Sequence, residues 1–505
     1  MALAKVHTVA LVGLVGHLID VEVDISDGLP GYSLLGLPDA ALSESRERLR
    51  SALLNSGFLW PNKKVTISLS PAWLPKSGSH YDLPIAIAIL AAMGVITAEI
   101  PESLVILGEL GLDGAVKFVR GVLPTMISAL SFGSDTAIVP FENLHEARAV
   151  PGIEVAPSRS LADAISFLST GERVEDHSQT DNPKHNYELD LLDVVGQIPA
   201  RQALEIAAIG GHHLLLIGPP GTGKTMLAER IPTILPELSP TQSLEVSAIH
   251  SVAGSLTERG VLTKQPPFVA PHHTTTITAM VGGGSHAVRP GVVSLAHAGV
   301  LFIDEAPECA SGVLDSLRQP LESGKITISR SVSTVTYPAN FLLVLAANPC
   351  PCGRFNGRGR ACSCSAMQIR NYLKKLSGPL LDRIDIRTFV EAPTRVEMAS
   401  PVRGESSHEV RNRVNISRAI AAERFKAERW SINSQIPSSE LRGRFKASRE
   451  GMAFLHNELD SERLSARGFH KVLRVAWSLA DRAGRSIPSR DDVEAAFAMR
   501  EGTLL

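Results

Sequence analysis

The strongest constraint on the fold is a short apolar segment that runs directly into a glycine-rich loop. Leu214–Ile217 is apolar throughout, and residues 218–225 then read Gly-Pro-Pro-Gly-Thr-Gly-Lys-Thr. This sequence matches the pattern G-x4-G-K-[ST] at every position. It predicts a buried strand, a loop whose backbone N–H groups converge on phosphate oxygens, and a helix whose N-terminus adds its positive dipole end.

The loop predicts a binding site for ATP with Mg²⁺. We expect Lys224 to reach the β- and γ-phosphates and the hydroxyl of Thr225 to ligate the metal ion. The residues expected to contact the nucleotide are Gly218, Pro219, Pro220, Gly221, Thr222, Gly223, Lys224 and Thr225. A chance glycine-rich turn is the alternative, and it is disfavoured because the loop lies between a strand-like and a helix-like segment.

Polar residues at the ends of two further apolar strands extend this prediction. Val300–Ile303 is followed by Asp304 and Glu305, and Phe341–Ala347 is followed by Asn348. Ligands of open α/β sheets bind at the carboxyl ends of the strands. We therefore expect Asp304 to complete the Mg²⁺ shell, Glu305 to polarise the attacking water and Asn348 to orient it. An acidic pair can instead cap the next helix, and an isolated Asn is often a turn residue.

The order of these segments indicates an α/β protein with several domains. Apolar strands separated by helices are typical of a parallel sheet covered on both faces. We predict an α+β domain at residues 1–168, a linker at 169–190 that has almost no apolar residues, an ATP-binding core at 191–392 and a helical domain at 393–505.

Charge and cysteine content indicate which kind of partner and which cellular compartment to expect for the chain. The totals of 50 Lys+Arg and 52 Asp+Glu nearly cancel, but residues 350–490 are strongly basic and the rest is acidic. A basic third favours a polyanion partner, although an arginine-rich solvated face is the simpler alternative.

Five cysteines are too few for a disulfide framework. The longest apolar stretch, residues 84–98, is too short to span a bilayer. We therefore predict a cytoplasmic protein with no membrane segment.

Several motifs resemble those of the AAA+ ATPases. The segment Asp193–Gln197 is similar to the lead-in of their adenine pocket, and Asn348 occupies the position of their sensor-1 residue. Arg383, in the sequence Ser-Gly-Pro-Leu-Leu-Asp-Arg-Ile-Asp, resembles the trans-acting arginine finger of magnesium chelatases and minichromosome maintenance helicases. Arg467, at the start of a predicted helix, resembles the sensor-2 arginine. The resemblance implies ATP sites shared between the subunits of a ring, usually a homo-hexamer, with both arginines catalytic.

Longer segments narrow the resemblance to one branch. They include Leu-Gly-Leu-Pro-Asp-Ala-Ala at 35–41, Phe-Val-Ala-Pro-His-His-Thr at 268–274 and Asn-Pro-Cys-Pro-Cys-Gly at 348–353. Together they resemble the ComM/YifB-type competence ATPases, also called magnesium chelatase-like proteins. The resemblance implies an AAA+ P-loop parallel-sheet module that follows an α+β Lon-protease-like (ribosomal protein S5 domain 2-like) domain and precedes a helical C-terminal domain.

The same resemblance implies a function. Members of this branch are associated with natural transformation as hexameric, ATP-driven branch-migration helicases. The implied role is therefore remodelling of single-stranded or branched DNA in recombination or transformation. Three alternatives stay open: a chelatase-type ATPase that drives metal insertion into a tetrapyrrole, a Lon-like protease, and a regulator that only switches with nucleotide. The last is disfavoured by the intact Lys224, Asp304 and Glu305.

The protease alternative needs a catalytic dyad that the sequence does not preserve. In the segments that resemble Lon proteases, His80 occupies the position of the nucleophilic serine, and Leu123 occupies the position of the general-base lysine. A dyad requires a hydroxyl and an amine that accepts its proton. Ser79 and Lys117 could form a shifted dyad. We favour instead a structural or partner-binding collar.

A cysteine cluster predicts a second metal site. Cys350, Cys352, Cys362 and Cys364 follow the spacing C-x-C-x9-C-x-C in a chain with one further cysteine. Four thiolates this close in sequence can hold a structural Zn²⁺ tetrahedrally. Reduced or redox-active thiols are the alternative, because C-x2-C is the more usual spacing of zinc ligands.

Two smaller features complete the candidates. For His272 and His273 we favour local packing or hydrogen bonding over metal binding. Residues 324–330 and 332–337 alternate like the two strands of a hairpin, and this hairpin carries Lys325 and Arg330. These two cations are candidates for gripping nucleic-acid phosphates, with exposed hairpin charge as the alternative.

Overall fold

The computed structural model describes residues 2–176, 189–256, 261–284, 288–330, 334–355, 362–399 and 404–502. Parts of the predicted linker (177–188), hairpin (331–333), cysteine loop (356–361) and C-terminal domain (400–403 and 503–505) therefore lie outside the described residues. No helix in the described ranges is long and apolar enough to cross a membrane.

The first part of the chain combines strands and helices. The strands are β1 Ala2–Val12, β2 Val15–Ser26, β3 Gly31–Leu35, β4 Lys64–Ser70, β5 Leu104–Ile106, β6 Glu109–Leu110, β7 Val116–Lys117, β8 Thr136–Pro140 and β9 Glu154–Ser158. The helices are α1 Ala40–Ser43, α2 Ser45–Asn55, α3 Asp82–Ala92, α4 Val122–Ser131, α5 Leu144–Arg148 and α6 Leu161–Thr170, with a 3₁₀ turn at Phe141–Asn143. Seven strands form one mixed sheet in the order β3-β4-β2-β1-β5-β8-β9.

Helix α3 fills the centre of this first part. Its sequence is apolar on every side, and a helix of that kind is stable only when it is enclosed. It packs against β1 and β2. Its one carboxylate, Asp82, is fully buried and accepts two hydrogen bonds from Arg48, at 2.9 and 3.1 Å. Burial raises the pKa of Asp82 to about 6, and Arg48 opposes that shift.

The second part contains the glycine-rich loop. Its helices are α7 Ile198–Gly210, α8 Lys224–Glu229, α9 Ile231–Ile234, α10 Pro240–Ala253, α11 Ile277–Val281, α12 Val292–Leu295, α13 Ser311–Ser316, α14 Arg318–Ser323, α15 Ala366–Leu373, α16 Gly378–Leu381 and α17 Arg395–Ala399. Its strands are β10 Leu214–Ile217, β11 Phe268–Val269, β12 Gly282–Gly283, β13 Arg289–Pro290, β14 Val300–Ile303, β15 Lys325–Ser329, β16 Thr334–Pro338, β17 Leu342–Ala347 and β18 Ile386–Phe389. Short 3₁₀ turns lie at Leu191–Asp193 and Ala306–Glu308.

Five of these strands form a parallel sheet in the order β11-β14-β17-β10-β18. Every neighbouring pair is parallel, with Ile217 beside Ala347 and Ile303 beside Leu345. The carboxyl ends of β10, β14 and β17 therefore meet at one edge of the sheet, whereas all the amino ends lie at the opposite edge. Because β10, β14 and β17 are apolar on both faces, apolar side chains cover the sheet from both sides.

The third part is helical and shares its core with the sheet. It consists of α18 Ser407–Arg424, α19 Ser438–Leu441, α20 Arg449–Asp460, α21 Ala466–Arg482 and α22 Arg490–Glu501, with a 3₁₀ turn at Asn433–Gln435. Helices α18 and α21 pack on α7, and one apolar cluster runs from Leu204 through Val414 to Leu473.

The α/β class, the parallel sheet and the helical C-terminal region are confirmed, and the domain boundaries stay predictions. Strands β1 and β2 pair with each other from Ala2–Ile25 to Val12–Val15. One predicted boundary differs from the structure. Helix α6 runs two residues into the predicted linker. Helix α18 begins at Ser407, where Ser406 and Glu409 form a capping box.

A buried polar cluster fastens the third part to the amino edge of the sheet. Asp385, just before β18, accepts hydrogen bonds from the backbone N–H of His213 at 2.9 Å and from Nζ of Lys471 on α21 at 2.6 Å. Burial alone would raise the pKa of Asp385, but Lys471 and the two neighbouring histidines hold it well below its usual range. His212 is buried beside it, and its Nε2 lies 2.8 Å from Oγ of Ser478.

This cluster predicts a loss of stability in mild acid. Burial lowers the pKa of both His212 and His213 from 6.5 to about 4. Between these values the unfolded chain binds protons that the folded chain does not, so the free energy of unfolding falls as pH drops from roughly 6.5 towards 4. We expect a lower Tm at about pH 5 than at about pH 7.5 in thermal unfolding followed by circular dichroism.

The variant His213→Asn serves as the control for this prediction. Its amide can still accept the hydrogen bond that Nδ1 of His213 receives from the backbone N–H of Leu343, at 3.1 Å, but it cannot titrate. The drop in Tm should therefore be smaller in the variant. An equal drop in both proteins would remove His213 from the explanation.

Candidate active site

The carboxyl edge of the parallel sheet brings together the polar residues predicted from the sequence. Nζ of Lys224, on the first turn of α8, donates to the carbonyl oxygens of Gly218 and Pro219 at 2.7 and 2.9 Å, and it lies 3.2 Å from Oδ1 of Asn348 at the end of β17. Burial lowers the pKa of Lys224, and the carboxylates of Asp304 and Glu305 oppose that shift.

The predicted metal ligands are in direct contact. Oγ1 of Thr225 donates to Oδ2 of Asp304 at 2.8 Å, so a hydroxyl and a carboxylate oxygen face the same point beside Lys224. Oxygen ligands of this kind suit Mg²⁺, and the pair therefore fits the ion that accompanies ATP. Glu305 follows with a backbone φ of +48°, a conformation that is uncommon for a residue with a side chain and recurs at functional sites.

The backbone of the loop explains its glycines. Gly221 and Gly223 have φ values of +77° and +89°, which other residues rarely adopt. The side chain of Gln197, in the segment that resembles an adenine-pocket lead-in, donates to the carbonyl oxygen of Thr222 at 2.6 Å. The two sequence segments are therefore in direct contact.

One contact at this edge was not predicted. Nδ1 of His273, in the loop after β11, lies 3.5 Å from Oε2 of Glu305, and its ring stacks on that of His272. His272 bonds locally to Thr274 at 2.8 Å, as expected. The position of β11 beside β14 brings His273 to Glu305, and no local sequence pattern encodes that pairing.

The two arginines predicted to be catalytic lie together at the other edge of the sheet. Arg383 precedes β18, and its guanidinium is bonded to Glu322 and to the carbonyl oxygen of Pro379. Arg467 begins α21, is largely exposed, and lies 3.8 Å from Asp382. Neither arginine contacts the phosphate loop of its own chain within the described residues. In this arrangement a role at ATP requires a neighbouring subunit.

The four predicted zinc ligands converge. The sulfur atoms of Cys350, Cys352, Cys362 and Cys364 all lie within 4.8 Å of one another. Cys350 is 3.3 Å from Cys352 and 3.6 Å from Cys362. A tetrahedral Zn²⁺ with bonds of about 2.3 Å separates its sulfur ligands by about 3.8 Å. The donor set and its spacing therefore fit a structural zinc ion.

The cysteine cluster adjoins the phosphate loop. Cys350 is fully buried two residues after Asn348. A Cβ on Gly353 would come within 2.5 Å of the ring of Pro220, so the two loops are in close contact. The fifth cysteine, Cys309, is buried elsewhere in the core around the sheet.

The protease-like positions form no dyad. His80 is a half-buried ring that packs at a tilt against Tyr81, and desolvation lowers its pKa to about 4. Ser79 donates to Glu109, so its hydroxyl is paired with a carboxylate rather than with an amine. No hydrogen bond joins Ser79 to Lys117 in the described structure. Leu123 is buried in the apolar core.

The predicted hairpin is present. Strands β15 and β16 pair antiparallel from Lys325–Pro338 to Ser329–Thr334, and Ile326 and Ile328 face the core. Lys325 and Arg330 are exposed. The base of the hairpin is closed by a hydrogen bond from the backbone N–H of Ala339 to the carbonyl oxygen of Gly324, at 2.8 Å.

Family models match three stretches of the chain. Magnesium chelatase, subunit ChlI, matches residues 190–398; subunit ChlI of Mg-chelatase matches residues 21–143; and the C-terminal model of magnesium chelatase subunit ChlI matches residues 404–500. The first of these matches covers the phosphate loop, the acidic pair and Arg383.

Relatives that align over nearly the whole chain show to which family of ATPases it belongs. The chain is 42% identical to YifB of Escherichia coli K12 over 99% of this chain and 97% of the relative, and 40% identical to competence protein ComM of Haemophilus influenzae over 96% and 94%. The chain belongs to the ComM/YifB family of magnesium chelatase-like AAA+ ATPases. A third relative, a protein of Mycobacterium tuberculosis H37Rv, is 48% identical to this chain over 99% of both chains.

The cysteine geometry predicts bound zinc in this ComM/YifB family member. We expect about one equivalent of zinc per chain in metal analysis of purified protein, and Cys352→Ser should lower it because a tetrahedral site loses one of four ligands. Cys309→Ser is the matched control and should keep the metal. Less than about 0.2 equivalents in the unsubstituted protein would refute a filled structural site.

Proposed function

We propose that this chain is a ring-forming ATP hydrolase that remodels single-stranded or branched DNA. The observation that carries the proposal is the convergence of Lys224, Thr225, Asp304 and Asn348 at one edge of the sheet, with Arg383 at the opposite edge. In this arrangement one chain provides the groups that would contact phosphate, metal and water. Its Arg383 is then available to the nucleotide of a neighbouring chain.

The chemistry follows from the positions of these groups. Mg²⁺ would neutralise charge on the phosphate oxygens, held by Thr225 and Asp304. Lys224 would bind the β- and γ-phosphates. Glu305 would orient a water molecule and accept its proton, and Asn348 would hold that water in line with the γ-phosphate. The neighbour's Arg383 and Arg467 would stabilise charge that develops as the bond breaks.

The DNA substrate is inferred from charge and family. Lys325 and Arg330 are exposed on the hairpin, and residues 350–490 are basic. Lysine and arginine contacts to phosphates bind any sequence and weaken with salt. One relative is named a competence protein, which is consistent with work on incoming DNA.

A chelatase motor is the second candidate, because the matching family models describe magnesium chelatase subunits. The two functions differ in what stimulates hydrolysis. A rate that rises with DNA supports the first candidate, whereas a rate that rises only with a tetrapyrrole and its metal-inserting partner supports the second.

Substitution of Glu305 tests the hydrolytic role. Glu305→Gln should lower kcat by roughly 10²-fold or more, because the water loses its base, and should retain binding of a fluorescent ATP analogue. DNA should stimulate the unsubstituted protein and leave Glu305→Gln inactive. Glu308→Gln, an exposed carboxylate three residues on, is the control. An ATPase rate that no form of DNA changes would refute the DNA motor.

Mixing of two inactive variants tests the shared site. Lys224→Ala and Arg383→Ala alone should each lower hydrolysis to a small residual rate. In an equal mixture, roughly a quarter of the interfaces would pair an intact Lys224 with an intact Arg383, so activity should return when the arginine acts in trans. Continued inactivity of well-assembled mixtures would place Arg383 outside the neighbour's site.

A further inference from the structure

Helix α14 contacts both ends of the segment that carries Arg383. Arg318 and Glu322 are four residues apart on α14 and therefore share one face. NH2 of Arg318 lies 3.3 Å from Oγ of Ser377, at the start of the segment, and Glu322 forms an ion pair with Arg383 at its end. Asp315 reinforces the first contact, accepting hydrogen bonds from both Arg318 and Ser377.

The guanidinium of Arg383 is directed into its own subunit. One terminal nitrogen donates to Pro379 at 2.5 Å, the other is paired with Glu322, and Nε is buried without a partner among the described residues. The side chain is only 16% exposed. A phosphate on a neighbouring subunit would have to replace Glu322 before it could contact this charge.

The Glu322 contact is weak enough to be exchanged. The carboxylate side chain of Glu322 is 62% exposed, and ion pairs with an exposed partner contribute little to stability. The backbone of Arg383 is fixed separately, because its carbonyl oxygen accepts a hydrogen bond from Lys471 at 2.9 Å. The side chain can therefore change partner while the segment stays in place.

Helix α14 also leads directly into the hairpin. Glu322 lies three residues before Lys325, the first residue of β15, and Oγ of Ser323 donates to the carbonyl oxygen of Lys325 at 2.9 Å. The hairpin is therefore joined to the end of α14 that carries Glu322, both through the chain and by this hydrogen bond.

We propose that Glu322 holds Arg383 in a resting position and that a polyanion bound at Lys325 and Arg330 releases it. Glu322 is a positioning residue that acts through Arg383. The proposal rests on the proposed function, since it requires ATP hydrolysis that DNA stimulates.

The test compares ATPase rates with and without single-stranded DNA. Glu322→Gln should raise the DNA-free rate about fivefold, the factor by which loss of one partly exposed ion pair shifts a two-state equilibrium. The stimulation by DNA should fall correspondingly. Glu322→Asp, which keeps the charge, should behave like the unsubstituted protein. Glu494→Gln removes an exposed carboxylate that pairs with Arg490 at 2.7 Å and should change nothing.

The double variant separates positioning from a general structural effect. In an Arg383→Ala background, Glu322→Gln should have no effect on the residual rate, because the residue it restrains is absent. A DNA-free rate in Glu322→Gln that equals or falls below that of the unsubstituted protein would overturn the proposal. So would a rise that persists without Arg383. Absence of DNA-stimulated hydrolysis in the unsubstituted protein would instead overturn the proposed function.

Discussion

A single buried carboxylate, Asp385, joins the elements that set the geometry of the ATPase module. It contacts the backbone just before β10, it precedes β18, and it pairs with Lys471 on α21. The far end of β10 becomes the phosphate loop, and the near end of α21 carries Arg467. Removal of one partner from a buried ion pair leaves an uncompensated charge and typically costs about 3–5 kcal/mol. This interaction lies outside the phosphate loop, yet it joins the strand that ends in that loop to the helix that carries Arg467.

The carboxyl edge shows how a site is assembled from residues that are weak signals alone. The local sequence around Asn348 is that of an ordinary turn residue. The pairing of β17 with β10 brings its amide within 3.2 Å of Lys224. The cysteine cluster begins two residues later, and Gly353 in the same loop lies close to Pro220, so the same strand end carries the amide of Asn348 and the start of the cysteine loop. The cysteine loop and the phosphate loop are therefore in direct contact.

Most of the fold was predictable because its signals are local. The strands and the glycine-rich loop follow from patterns shorter than ten residues, and the strand-end carboxylates and amide meet because parallel strands align their ends. The register of distant segments was not predictable. Glu322 and Arg383 are 61 residues apart, and Ser79 and Glu109 are 30 apart. Their contacts depend on how helices and loops pack around the sheets. The cysteine spacing suggested a cluster, but only the folded loop shows that the four sulfur atoms converge.

The opposite placement of Lys224 and Arg383 has a consequence for assembly. If each site needs an arginine from the next chain, the joining surfaces of two subunits are different patches, so the contact is heterologous rather than two-fold symmetric. Repetition of such a contact gives every subunit the same orientation around the axis. The two faces of the closed assembly are then chemically distinct, and a strand threaded through it meets them in a defined order. The polarity of one parallel sheet would thus determine the direction in which such a strand passes through the assembly.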